Sequence, residues 1–429
     1  MNDHFISKRQ RLRSEILAAL LIIQVISWVW VLANGMYSEK FFDFSQISSI
    51  VRDTTWYSSE TTYRQVPLWG KHNFSDLQIF FGWNADPNPY FDINVIPPIP
   101  PFGLSYYALL NFWNPQVGFI VWLFSTIFFS ALVTRLWLKT ESPSSQATAY
   151  CALVLLNTSA LMGIDRGNIL LILMSIVGFL FFKVLNLQQL GRFDAFLLAS
   201  TISLKPFLLL LLIFFIIERN YRFVFHTILI GLACNLVASA MYGGHPIGIV
   251  RNMISEQSEY NNSDNLEFSA RWSSAAFRVL FEALRMFGGR EFAISELTRF
   301  NLLIGLPGIV YLIFVIIICL RREIPMWIRM ISIMSTAQMV VAASPRYDLV
   351  WTCIGGLVIL QQPPRSEISS ESIISRKELV IAYSCAVGFL VGGLPFVRGV
   401  AYSPLVWILV ICLIFVTYIF PKRQRILQY

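Results

Sequence analysis

The chain has 429 residues, of which 56% are hydrophobic and 14% are charged. A soluble domain of this size needs far more surface charge, so this composition excludes one and predicts an all-α, polytopic membrane protein. The net charge of +8 follows from basic residues in the loops between apolar segments, which argues against nucleic-acid binding.

Apolar segments long enough to cross a bilayer recur along the chain, since a helix needs about 20 apolar residues to span roughly 30 Å of hydrocarbon. We therefore treat residues 1–429 as a single integral membrane domain. About ten full spans are predicted, near residues 15–34, 115–138, 147–164, 167–186, 222–241, 301–320, 325–342, 346–361, 378–396 and 402–420.

The distribution of lysine and arginine predicts the orientation of these spans. Both termini and every second short loop hold at least two basic residues, whereas each opposite short loop holds one. Basic residues accumulate in cytoplasmic loops, so both termini are expected in the cytoplasm, with a bacterial inner membrane as the natural setting. Long loops with interfacial helices then lie outside, at 35–114 and 242–300, and the polar segment 362–377 is a cytoplasmic connector.

The apolar run 194–217 contains Lys205 and Pro206. Proline lacks a backbone donor and clashes with the preceding turn, so we predict two short helices that enter the membrane and return on the same side. An ionisable side chain in such a position usually faces protein, water or a ligand.

Four polar segments fall on the predicted outer side, at residues 52–57, 165–168, 261–264 and 344–348. A carboxylate beside several cations suits transfer from a phosphate-linked donor. The carboxylate removes a proton from an acceptor hydroxyl, and lysine or arginine stabilises the leaving phosphate. No His, Asp and Glu cluster is evident, so neither a metal site nor a cofactor is expected.

Each candidate residue also has a structural explanation. Asp53 could be a loop carboxylate paired with its neighbour, and Asp165 with Arg166 could cap the following helix. Asp348 could cap a span, and His245 could be a turn residue. In the amphipathic stretch 267–287, arginines recur at 271, 278 and 285; they are either solvated on an interfacial helix or steer an anionic lipid head group.

Several of these pieces occur in an order and spacing that resemble glycosyltransferase family 87. The family comprises polytopic glycosyltransferases of the GT-C type, and its mycobacterial members are α-mannosyltransferases. The matching motifs are Asp-x-x-x-Tyr at Asp53 to Tyr57, Pro-Pro at 97–98, Asp-Arg-Gly-Asn at 165–168, Lys-Pro at 205–206, Asn-Asn-Ser at 261–263 and Tyr-Asp-Leu at 347–349.

The resemblance implies an inverting enzyme that moves a hexose, expected to be mannose, from a polyprenyl-phosphate carrier. The acceptor would be lipid- or glycan-linked, on the extracytoplasmic face. Asp53 would be the catalytic base, and Lys205 with Arg166 would bind the donor phosphate. The remaining candidates would form the sugar and acceptor pocket: Tyr57, Asp165, Asn168, His245, Arg271, Arg346 and Asp348.

Two alternatives fit many of the same residues. A secondary transporter or flippase of lipid-linked sugars would also use buried charges and a proline-broken hairpin. A glycan ligase or polymerase with a diphosphate-linked donor would differ mainly in the donor.

Overall fold

The computed structural model describes residues 15–29, 77, 80, 89–91, 99–110, 112, 114–165, 167–243, 245–260, 276–300, 302–340, 355–356, 376–393 and 397–419. Over these residues the chain is helical and contains no strand, which confirms the all-α class. The polar connector 362–377, apart from residues 376–377, lies outside the described residues.

The helices are numbered here in chain order. They are α1 (Glu15–Val29), α2 (Pro101–Leu110), α3 (Pro115–Trp137), α4 (Pro143–Tyr150), α5 (Thr158–Asp165), α6 (Leu170–Leu185), α7 (Arg192–Leu204), α8 (Leu211–Ile217), α9 (Tyr221–Met241), α10 (Pro246–Tyr260), α11 (Phe277–Arg299), α12 (Leu302–Leu320), α13 (Met326–Met339), α14 (Arg376–Gly393) and α15 (Val397–Ile419).

Two helices in the described part of the chain are long and apolar enough to cross a membrane. They are α3, over Gln116–Trp137, and α9, over Tyr221–Met241. A third span is obtained if α11 and α12, which are bent by 77° at their junction, count as one. Other apolar helices are shorter, including α1 and α6. The total of about ten spans stays a prediction, and most of the segment 346–361 lies outside the described residues.

The predicted span at 147–164 is interrupted in the structure. A π-helical turn, Cys151–Leu155, follows α4, and α5 begins only at Thr158. The cause is Asn157, whose Oδ1 accepts hydrogen bonds from the backbone N–H groups of Ser159 at 2.9 Å and Ala160 at 3.3 Å. An asparagine that bonds the backbone in this way favours a new helix start over continuation of the old helix.

The predicted break in the run 194–217 is confirmed. Helix α7 ends at Leu204, and Lys205 has an extended backbone with φ −143° and ψ 91°. A 3-10 helix, Pro206–Leu210, then leads into α8. Proline at the first position of the new helix is expected, because the N–H that it lacks would have no partner there.

Two sets of ion pairs lie at one end of the bundle, which we call the ion-pair end. A third set, on α11, lies nearer the opposite end, because the Ala276 N–H donates to the carbonyl of Met339, the last residue of α13. Lys183 of α6 contacts Asp194 of α7, with 2.6 Å between Nζ and Oδ2. Glu218, just after α8, pairs with Arg322 at 2.7 Å and also with Arg329 near the start of α13. The first contact joins α6 to α7, and the contacts of Glu218 join the end of α8 to the start of α13, at the same end of the bundle.

The opposite end, called the lysine end, holds Lys205. At a helical rise of about 1.5 Å per residue, the 11 steps from Asp194 to Lys205 correspond to about 17 Å. The 15 steps from Lys183 back to Asn168 correspond to about 22 Å, so both residues lie far from the ion pairs. Helix α9 starts next to Glu218 and also ends at the lysine end.

Candidate functional site

The Asp-Arg-Gly-Asn segment forms a tight turn between α5 and α6. Gly167 has φ 73°, in the left-handed region that favours glycine. Its N–H donates to the Ile164 carbonyl at 2.9 Å, and the Asn168 N–H donates to the Gly163 carbonyl at 2.8 Å. This pair of bonds is the Schellman arrangement, which satisfies the last carbonyls of a helix. The chain therefore reverses direction immediately after Asp165.

Asn168 is buried, with 3% of its surface exposed, and its side chain belongs to the start of α6. Oδ1 accepts a hydrogen bond from the Leu170 N–H at 3.1 Å. The capping role that the sequence left open for Asp165 and Arg166 is thus filled in part by Asn168. Asp165 is the last residue of α5, but its side chain and all of Arg166 lie outside the described residues.

Lys205 lies at the chain break, between two apolar helices, and is partly buried. Its backbone N–H donates to the Thr201 carbonyl at 3.0 Å, so the lysine is tied to the last turn of α7. Buried Leu204 and Leu208 flank it along the chain. An ionisable side chain near hydrocarbon usually faces protein, water or a ligand, so this position is compatible with contact to an anionic ligand.

A polar network fixes the backbone just before Lys205. Asn235 of α9 donates through Nδ2 to Ser203 Oγ at 3.0 Å and to the Gly231 carbonyl at 2.8 Å. Its Oδ1 accepts from the Phe102 N–H, at the start of α2, at 3.1 Å. Sequence reasoning missed Asn235 and Ser203. The available signal was an amide within an otherwise apolar span, which needs hydrogen-bond partners.

Parts of the two predicted outer loops meet at the lysine end. Asn252 of α10 donates through Nδ2 to the Tyr90 carbonyl at 3.0 Å. The rings of Tyr90 and Tyr242 pack edge to face, with centroids 5.8 Å apart, and the Tyr90 hydroxyl donates to the Ile99 carbonyl at 2.8 Å. His245 is exposed directly before α10. These contacts join the end of the first loop to the beginning of the second.

Neither of these tyrosines suits the role of a base at neutral pH. Burial raises the pKa of Tyr242 to about 12 and raises the pKa of Tyr90 further. Desolvation disfavours the charged phenolate, so both hydroxyls stay protonated and act as hydrogen-bonding groups.

The arginines of the amphipathic stretch differ in exposure: Arg285 is solvated, as one of the two interpretations expects, whereas Arg278 is not. Arg278 is buried rather than solvated, and its NH2 contacts Glu282 Oε1 at 2.6 Å. Arg285 contacts the other carboxylate oxygen of Glu282 at 2.7 Å. A buried arginine needs a counter-charge, and the i,i+4 spacing of Arg278 and Glu282 favours this pair on a helix. The second contact of Glu282, to Arg285, was not identified from sequence. Arg271 lies outside the described residues.

The structure brings three of the predicted site residues to the lysine end: Asn168, Lys205 and His245. The predicted base and the rest of the pocket lie outside the described residues, namely Asp53, Tyr57, Arg166, Arg271, Arg346 and Asp348. Their roles stay predictions.

Comparison with known proteins gives one family match. The model of glycosyltransferase family 87 matches residues 99–345, more than half of the chain. No curated protein sequence matches it. The matched range contains the turn at 165–168, the break at 205–206 and the Asn235 network, whereas Asp53, Tyr57, Arg346 and Asp348 lie beyond it. A match to a transferase family favours sugar transfer over the transporter alternative.

Proposed function

The chain belongs to glycosyltransferase family 87, and we propose that it moves mannose or a similar hexose from a polyprenyl-phosphate carrier. The acceptor in this proposal is a lipid- or glycan-linked hydroxyl on the extracytoplasmic face of a bacterial inner membrane. Both termini then lie in the cytoplasm. The observation that carries the proposal is Lys205, a cation held at a proline break between apolar helices.

The proposed reaction is a single displacement with inversion. Asp53 removes the proton from the acceptor hydroxyl, and the acceptor oxygen forms a bond to the anomeric carbon. The bond between that carbon and the phosphate oxygen breaks, and polyprenyl phosphate leaves with one additional negative charge. No covalent enzyme intermediate and no cofactor are needed.

Lys205 and Arg166 bind the donor phosphate in this scheme. Negative charge on the phosphate grows as the glycosidic bond breaks, so a fixed cation stabilises the transition state more than the bound donor. An apolar approach to Lys205 also suits a donor whose phosphate is attached to a long isoprenoid chain. The remaining candidates orient the sugar and the acceptor: Tyr57, Asp165, Asn168, His245, Arg271, Arg346 and Asp348.

The test is sugar transfer by purified protein in liposomes that contain an endogenous lipid extract as the source of acceptors. Labelled polyprenyl-phosphate mannose is the first donor, and Asp53→Asn is the variant. We expect label to enter an acceptor with the unaltered protein and not with Asp53→Asn, while thermal unfolding of the two proteins coincides. Transfer that survives the substitution would remove Asp53 from the mechanism.

Two further arms separate the alternatives. Label that crosses sealed vesicles without transfer would support a flippase. Transfer from a diphosphate-linked donor, but from no monophosphate donor in a panel of sugars, would support a ligase or polymerase.

A further inference from the structure

We propose that Asn235 is a positioning residue for Lys205. Its side chain holds the last turn of α7 against the start of α2, and thereby fixes where the lysine meets the donor phosphate. The inference rests on the proposed role of Lys205. It also links the two parts of the reaction, because α2 ends the loop 35–114, which carries Asp53.

The first observation is that the Asn235 amide bonds across three elements. Nδ2 reaches Ser203 of α7, Oδ1 receives the Phe102 N–H of α2, and the second Nδ2 proton goes to its own helix at Gly231. Ser203 is buried, with 3% of its surface exposed. The Asn235 amide is partly buried, and loss of its partners would leave buried Ser203 with an unsatisfied hydroxyl, so the arrangement is preferred over its alternatives.

The position of Asn235 on α9 also supports the positioning role. The neighbouring side chains Leu232, Leu236 and Val237 are exposed, as expected for residues that face lipid. Asn235 instead faces the interior contact with α2 and α7. Asn235 also lies close to the lysine end. The six steps from Asn235 to Met241, the last residue of α9, correspond to about 9 Å, so α2 begins beside α9 about 9 Å before that helix ends.

A second, independent contact reaches the same last turn of α7. Gly103 of α2 packs so closely on α7 that a Cβ there would overlap the carbonyl oxygen of Ser203 and lie 3.2 Å from the Cα of Leu204. The residues directly before Lys205 are therefore held between the Asn235 amide and the backbone of α2. Because Lys205 itself is extended, its direction depends on how this last turn is held.

This arrangement predicts a kinetic effect rather than a loss of binding alone. A shift of about 1 Å in a positioned group can lower a rate by about 100-fold. The lysine would remain present and charged in an Asn235 variant, so the donor would still bind. We expect kcat to fall by about 10- to 100-fold while KM for the donor changes by less than about threefold.

The experiment compares four variants in the liposome assay, each normalised to folded protein. Asn235→Ala removes the whole network. Asn235→Asp keeps an acceptor for Phe102 but replaces the N–H donor by a charged acceptor, which reverses the bond to Ser203 and removes the bond to the Gly231 carbonyl. Ser203→Ala removes one bond only. Thr227→Val is the matched control, because Thr227 is buried in the same helix but its Oγ1 donates only to the Phe223 carbonyl of α9, at 2.9 Å. A second readout is the rate at which an acylating reagent modifies Lys205, measured by peptide mass spectrometry.

We expect kcat and the modification rate of Lys205 to change in the Asn235 and Ser203 variants and to stay unchanged in Thr227→Val. If kcat per folded protein and lysine reactivity are unaltered in both Ser203→Ala and Asn235→Asp, the positioning role is wrong. These two variants also decide the case if Asn235→Ala does not fold.

Lys205→Met separates this inference from the proposed function. If Lys205→Met keeps full activity, the role of the lysine itself fails. If it is inactive while the Asn235 and Ser203 variants are normal, only the positioning role fails.

Discussion

Two lysines show how surroundings separate a candidate ligand from an ordinary surface charge. Lys139 is exposed just after α3, with its Nζ 5.5 Å from the centroid of the Phe182 ring. Lys205 is partly buried at a proline break between apolar helices. Only the second position combines a cation with the apolar surroundings that suit the phosphate of a lipid-linked donor.

Lys205→Met is expected to lower the transfer rate by about 100-fold or more, since removal of one group that stabilises developing charge commonly has an effect of this size. The measurement is the initial rate of transfer from polyprenyl-phosphate mannose. Lys139→Met is the matched control and should leave the rate unchanged. Equal rates for the two variants would contradict a phosphate-binding role for Lys205.

A second prediction concerns the turn at 165–168. Gly167→Ala places a Cβ in the left-handed region, which costs about 1–2 kcal/mol of stability. Gly305→Ala in α12 is the matched control, because a Cβ there meets open space. Thermal unfolding in detergent should show a lower midpoint for Gly167→Ala than for Gly305→Ala. A midpoint for Gly167→Ala at or above that of the control would argue against the Schellman turn.

Some single residues were predictable from sequence and others were not. Lys205 was identified because a charge within an apolar run is visible without knowledge of the fold. Asn235 lies in an equally apolar run, but its function depends on the arrival of α2 and α7 at the same level of α9. The pair of Glu282 with Arg278 follows from helical spacing, but the contact of the same carboxylate with Arg285 does not.

At the scale of helices, the sequence predicted the bounds of two spans and the break at a proline, but it missed the break at an asparagine. The bounds of α3 and α9 agree with the predicted spans to within a residue, and the break at Pro206 is where the sequence indicated it. The span at 147–164 was wrong as a continuous helix, because Asn157 starts a new helix in its middle. The apolar composition of this segment does not show where a new helix begins, since an asparagine can also lie within a continuous helix.

The ion-pair end connects helices that are distant in sequence. Glu218 follows α8, whereas Arg322 and Arg329 flank the start of α13. Arg329 is buried, and its Nε also donates to the Ile324 carbonyl at 3.1 Å. This cluster joins the end of α8 to the start of α13, so we expect it to contribute to stability rather than to the reaction.

Glu218→Gln is therefore expected to lower the free energy of unfolding by about 3–5 kcal/mol, because it leaves Arg329 as an uncompensated buried charge. The midpoint of denaturation in detergent measures the effect. Adding Arg329→Met to Glu218→Gln should restore part of the loss, since the orphaned charge is removed. The exposed Arg321 provides the control variant, Arg321→Met, for which we expect little change.

The same substitution tests the separation of stability from catalysis. Glu218 lies at the ion-pair end, and Lys205 is about 17 Å by helical rise from the Lys183–Asp194 pair at that same end. We expect kcat per folded protein to remain normal in Glu218→Gln. A large fall in kcat would mean that the ion-pair end also controls the geometry at Lys205.

For the whole molecule, family membership and helical class are secure, but the direction of the bundle in the membrane rests on the loop charges. Basic residues near 190, 220 and 321 predict, by the positive-inside rule, that the ion-pair end lies in the cytoplasm. The lysine end, with Lys205 and His245, then faces outward. The proposed use of a polyprenyl-phosphate donor on the outer face depends on this orientation.

Cysteine labelling tests the orientation directly. In a background with all six native cysteines replaced, His245→Cys and Glu323→Cys place one thiol at each end of the bundle, both at exposed positions. An impermeant maleimide should label His245→Cys in intact cells, whereas Glu323→Cys should react only after permeabilisation. The reverse pattern would put Lys205 near the cytoplasmic face. The enzyme would still be a family 87 glycosyltransferase, but its donor would have to be presented from the cytoplasm, and the assignment of the outer loops as the site of the base would fall with it.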